Sequence, residues 1–160
     1  MATSHIIWRF YQSGQFIHIS GMPIDWRDQS RFWPADEQWR PGALLGVGDA
    51  LFTFTEVFEF AARLALSDAG DEQMHIGATV GNLKGRLLYV DTQERWPFHT
   101  SYQASVEKFP YSVELTRSDL AARPREFGLQ AANELFKRFG WDTTIDILRD
   151  WQSEMIRRSM

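Results

Sequence analysis

Residues 49–66 read DALFTFTEVFEFAARLAL. Leu51, Phe54, Val57, Phe58, Ala61, Leu64 and Ala65 recur at three- and four-residue intervals, the spacing that lines one stripe of an α-helix. Asp49 stands where an N-cap belongs, so the pattern predicts a helix over 50–66. Glu56, Glu59 and Arg63 form its wet side. Phe52 and Phe60 lie off the centre of the stripe, which turns at least one of them toward solvent. An apolar stripe of this kind needs a second layer to cover it.

The flanking segments supply strands. His5–Tyr11 and Gln15–Ser20 are β-branched and aromatic runs joined by Gln12-Ser13-Gly14, which reads as a hairpin with a short glycine-bearing turn. Downstream, Met74–Val80 and Arg86–Asp91 read as a second hairpin across residues 81–85. Val106–Thr116 reads as a further strand, in which Pro110 marks a bulge, an edge or the true start. Residues 92–105 are polar and irregular. Pro124 fits the first position of a helix over 124–139, with Ala131, Ala132, Leu135, Phe136 and Phe139 on its stripe and Gly140 just past its end. Asp142 or Thr143 would cap a last helix near 143–158, carrying Ile145, Leu148, Trp151, Met155 and Ile156 on one face. The expected architecture is therefore α+β. One domain spans residues 1–160, with an antiparallel sheet of about five strands and helices near 50–66, 124–139 and 143–158 packed mainly on one face.

Between hairpin and helix, residues 21–48 break the pattern. Pro23, Pro34 and Pro41 punctuate a stretch that also holds Trp26, Trp33 and Trp39, with a short helix conceivable from Asp25 to Phe32. Long irregular loops inside compact domains are uncommon and often functional. Of the seven tryptophans, Trp8 is most simply sheet packing and Trp151 helix packing, while Trp96 covers a core edge and Trp141 makes the hydrophobic contact that follows a helix-ending glycine at Gly140. Trp26, Trp33 and Trp39 have no periodic burial to account for them.

Composition bounds the chemistry. The 160 residues are 44% apolar and 24% charged, within the range of globular chains. The absence of cysteine removes thiolate nucleophiles, disulfides and cysteine zinc sites, and fits a reducing, cytoplasmic setting. The chain opens without the basic and apolar regions of a signal peptide. Its apolar runs fall short of the roughly 20 residues of a membrane span, so no membrane association is expected. The net charge is −4 and its sign does not segregate along the chain, which gives nucleic acid no electrostatic footing. Fourteen of the 17 basic residues are arginine, and arginine with tryptophan is the pairing that interface cores enrich.

Catalytic motifs fail on spacing or charge. The four histidines lack a second ligand at metal spacing. Asp142, Asp146 and Asp150 line one side of a helix, but Arg149 and Arg157 adjoin them, as on a solvated salt-bridged face. Gly46-Val-Gly48 lacks the third glycine of a phosphate loop, and Asp49 would repel an anion there. No catalytic residue, metal or cofactor is assigned. The expected function is a non-catalytic binding or assembly module acting through protein–protein contact, with a protein partner or a further copy of the chain. Its surface is drawn from Trp26, Trp33, Trp39, Arg31, Arg40 and Phe60. Two alternatives stand beside it. One is a small enzyme or ligand-binding domain with His18 or His75 and Asp25 in a cleft against loop 21–48. The other is a nucleic-acid-associated accessory domain.

Overall fold

The computed structural model describes residues 6–26, 40–92 and 95–159, with side chains through 157. The order of elements is β1 (Ile6–Phe10), β2 (Phe16–Ser20), a 3-10 turn (Pro23–Trp26), β3 (Leu44–Gly46), α1 (Val47–Ala65), β4 (Gln73–Val80), β5 (Leu87–Tyr89), β6 (Phe109–Thr116), α2 (Arg117–Ala122), α3 (Pro124–Lys137) and α4 (Ile145–Ser159). The α+β class holds. The strands, however, form three two-stranded sheets, β1–β2, β3–β5 and β4–β6, instead of one five-stranded sheet.

α1 is the axis of the core. Val47, Leu51, Phe58 and Ala65 on its stripe are fully enclosed, and α2, α3 and α4 all pack against it. The approach to α3 is close because Gly128 faces α1: a Cβ there would lie 3.1 Å from the Phe54 carbonyl oxygen and from Thr55 Cα. Beneath, β4 and β6 present one apolar face, with Met74, Ile76, Ala78 and Val80 directly opposite Leu115, Val113, Tyr111 and Phe109. Period-two alternation leaves Gln73, His75, Thr79, Ser112 and Glu114 on the wet face. Burial of this cluster is the main favourable contribution to the fold, since about 25 cal/mol accrues per Å² of apolar surface removed from water.

The expected hairpin of residues 74–80 and 86–91 does not form. β4 pairs antiparallel with β6, while β5 pairs parallel with β3, Leu44 opposite Leu87 and Leu45 opposite Leu88. Residues 102–104 lie along the free edge of β5, where Leu88 N–H donates to the Tyr102 carbonyl and Ala104 N–H to the Arg86 carbonyl. A three-residue apolar strand carries no period, and its non-local partner leaves no local trace.

The helix starts also differ from expectation. α1 begins three residues earlier than an Asp49 cap allows, with Gly46 at the N-cap and Asp49 inside the first turn. The cap comes from a distance: the Asp91 carboxylate accepts from Gly48 N–H at 2.7 Å and Asp49 N–H at 2.8 Å. A negative group there also complements the helix dipole. The start of α4 is bonded to Thr144, in place of Asp142 or Thr143: its carbonyl accepts from Leu148 N–H and its hydroxyl from Ile147 N–H. At the end of α3, Gly140 takes φ +82° and Trp141 N–H returns to the Phe136 carbonyl. Trp141 then packs on Phe136, with ring centroids 5.2 Å apart, and on Phe98 at 4.9 Å.

Candidate functional site

The hairpin β1–β2 departs furthest from the burial rules. Tyr11 N–H donates to the Gln15 carbonyl and Gly14 N–H to the Tyr11 carbonyl, closing a three-residue loop whose left-handed position is Gly14 at φ +80°. The register sets Ile7 opposite Ile19, Trp8 opposite His18, Arg9 opposite Ile17 and Phe10 opposite Phe16. One face therefore carries Ile6, Trp8, Phe10, Phe16 and His18. The other carries Ile7, Arg9, Ile17 and Ile19.

Neither face is covered. Trp8 is 68% exposed, Ile6 59%, Ile19 57% and Ile7 56%, while Phe10 and Ile17 keep more than a third of their surface in water. An antiparallel pair ordinarily buries one face and wets the other. Here both faces are apolar and both are wet. Among the described residues, ring contact with the core layer lies at the turn end, where the Phe16 ring is 4.5 Å from Phe60 of α1 and 5.7 Å from Phe10. Nearby, a Cβ on Gly14 would sit 3.0 Å from the Ala69 carbonyl, so the loop rests on the turn after α1. Phe52 and Phe60 on the outer side of α1 are 38% and 39% exposed.

The residues expected to make contact are distributed unevenly around this surface. Phe60 joins the hairpin directly. Trp26 is 43% exposed and lays its indole against the Gly21 backbone at the end of β2. Arg40 is exposed at the start of the segment leading into β3. Arg31, Trp33 and Trp39 lie outside the described residues, as does most of the expected loop 21–48. The described parts of that loop include the 3-10 turn and β3. Trp8, expected inside the sheet packing, is on the open arm. Trp96, expected to cover a core edge, is 88% exposed. Strand periodicity assigns a residue to a face but does not say whether anything covers that face.

The alternative site does not assemble. Asp25 is committed to Arg86, whose terminal nitrogens reach its two carboxylate oxygens at 2.8 and 2.6 Å. Arg86 is 1% exposed and also donates to the Leu44 and Asn82 carbonyls. Partial burial pushes the Asp25 carboxyl upward. The hydrogen bonds from Arg86 and Gly42 N–H, with the Arg86 charge, outweigh that and hold it below the ordinary carboxylate value. His18 and His75 stand on different sheets. His75 meets Ser112 at 3.2 Å through Nε2 and Glu114 at 3.7 Å through Nδ1. The order Ser–His–Glu is that of a proton relay, but the His75 and Glu114 side chains are 63% and 78% exposed on the open sheet face. They line neither the open cavity at the α1–α3 junction nor the one beside the hairpin loop. A relay in free water lacks the preorganised dipoles that stabilise developing charge.

The arginines are largely neutralised. Arg63 and Arg125 share Glu59, Arg123 faces Asp119 and Glu126, Arg117 faces Glu72, and Arg95 faces Glu154 while stacking 4.8 Å above the Trp151 ring. No group of three or more histidine or acidic residues among the described residues is arranged to hold a metal ion. No helix among them is long and apolar enough to cross a membrane.

Comparison with known proteins finds no matching family model, no similar curated protein and no similar solved structure.

Proposed function

We propose that the chain is a non-catalytic binding or assembly module whose contact surface is the β1–β2 hairpin with the adjoining Phe60 side of α1. One observation carries this reading: six large apolar side chains on one short hairpin stand open to water, on both of its faces. Contiguous apolar surface of that extent marks a site of association. A lone two-stranded hairpin is also marginal in water without a partner layer. Trp8 and Phe60 supply aromatic anchors of the kind that dominate interface energetics, and Arg9 stands on the opposite face among the isoleucines. The sequence-based expectation of an aromatic, arginine-bearing contact surface is kept. Its centre moves from loop 21–48 to the arm that precedes it.

The test is site-specific photo-crosslinking in cytoplasm, with the reactive group placed at Ile7 or Ile19 and, as controls, at the exposed positions Gln130 and Lys137 on α3. Discrete protein adducts from the hairpin positions and none from the controls support the reading. Equal labelling from all four positions, or adducts at α3 alone, overturns it.

A further inference from the structure

Resting on that reading, we infer that the occupant of the hairpin is a second copy of this chain, joined β1 edge to β1 edge about a twofold axis through Trp8. The backbone geometry makes the first argument. Because Tyr11 and Gln15 form the closing hydrogen-bonded pair, alternation along the ladder turns the N–H and C=O of Arg9 and Ile7 inward to β2. The N–H and C=O of Ile6, Trp8 and Phe10 then point out of the free edge. None of these outward groups meets a backbone partner among the described residues. Residues 6–10 contain no proline, lysine or acidic residue, the devices with which proteins ordinarily blunt a strand edge.

Self-complementarity makes the second. Antiparallel pairing of two β1 strands centred on Trp8 places Ile6 against Phe10 of the other copy, and Trp8 against Trp8. All three positions are of the hydrogen-bonded kind, so about six backbone bonds form across the axis. Arg9, the only lysine, arginine or acidic residue in 6–20, falls opposite Ile7 and not opposite itself. No like charges meet directly, and the arginine stem can lie along the isoleucine. A foreign strand could also add to this edge, but nothing in β1 selects one by charge. A twofold arrangement uses the one sequence known to be present and closes upon itself without further growth.

Area makes the third. With aromatic side chains carrying about 150–250 Å² each and the isoleucines somewhat less, the exposed fractions leave on the order of 800 Å² of apolar surface on the arm. Apolar surface of that extent marks a site of association, and edge pairing covers the part of it that flanks the free edge. Pairing of the edges forms a four-stranded sheet, and the apolar faces of the two arms become continuous.

The experiment measures solution mass by light scattering across a dilution series from about 100 µM, where micromolar interfaces are saturated. Two variants accompany the unaltered chain. Trp8→Pro removes an outward N–H and leaves the inward ladder to β2 intact. Trp8→Lys keeps the N–H and opposes two cations across the axis. A dimer for the unaltered chain, with both variants dissociating on the order of 100-fold more readily and melting at the same temperature, supports the inference. An unaltered chain that stays monomeric overturns it. A dimer that persists in both variants also overturns it. Hairpin adducts to a different protein from a monomeric chain would sink the self-pairing while leaving the contact-module reading standing.

Discussion

The guanidinium of Arg86 and the carboxylate of Asp25, 61 positions apart in sequence, meet in a two-pronged ion pair at 2.8 and 2.6 Å. The pair ties the turn after the hairpin arm to the approach to β5. The Leu44 and Asn82 carbonyls accept two further N–H groups, so every nitrogen of the buried guanidinium has a partner. Removing the carboxylate strands a charge that is 1% exposed. Asp25→Ala is therefore expected to cost about 3–5 kcal/mol, the range for breaking a buried pair from one side. Urea unfolding measures it. A loss below about 1 kcal/mol, the range of exposed pairs, would show that water reaches Arg86.

The same pair gives a pH dependence. Asp25 titrates below its unfolded value because its partners favour the anion. Its contribution is then complete above the unfolded value near 4 and is lost as pH falls through the folded one. The stability gap between the native chain and Asp25→Asn should stay level from neutral pH to about pH 5 and narrow below about pH 4. A gap that widens on acidification would contradict the assignment.

At the other end of β5, Asp91 caps α1 and leaves no room beside it. A Cβ on Gly48 would stand 2.8 Å from its carboxylate. Asp91→Ala should cost about 0.5–2 kcal/mol through the lost cap. Gly48→Ala should cost a similar amount by displacing the same carboxylate, although alanine is the better helix former by up to about 1 kcal/mol. Combined, the two changes should be less damaging than their sum, since the second then has nothing to displace. Thermal unfolding of the four proteins in the cycle tests this, and strict additivity would refute the shared cause.

Gly128 sets the spacing of α3 on α1. Helix propensity alone favours Gly128→Ala by up to about 1 kcal/mol. The added methyl meets backbone and not a side-chain end, 3.1 Å from the Phe54 oxygen and Thr55 Cα. Overpacking of this kind costs about 1–3 kcal/mol, so a net loss is expected. A rise in midpoint temperature would mean that the two helices separate freely.

Much of the helical layer could be read in the chain. The stripe of α1, the proline that opens α3, the glycine that ends it and the Trp151 face of α4 are local signals, and each appears within two residues or so of its expected position. The contact of Trp141 was readable for the same reason. The sheets were less so. Pairing of β3 with β5 and of β4 with β6 depends on partners 29 residues apart or more, chosen by how α1 is covered. The cap from Asp91, 42 residues beyond the Asp49 N–H that donates to it, has no sequence signature. Exposure of Trp8 was hidden for a different reason: alternation predicts a strand with two kinds of face, whereas this arm has one kind on both. Of the expected contact residues, Phe60 adjoins the arm, because its place off the helical stripe already turned it outward.

Among the described residues, the arm meets the helical layer around Phe16 and Phe60 and at the Gly14 loop. Substitution along most of β1 and β2 therefore leaves the interior undisturbed. Selection can rewrite the recognition surface while the spacing of α1 and α3 stays fixed. Descendants of this chain would then be expected to share a core and differ in what they hold.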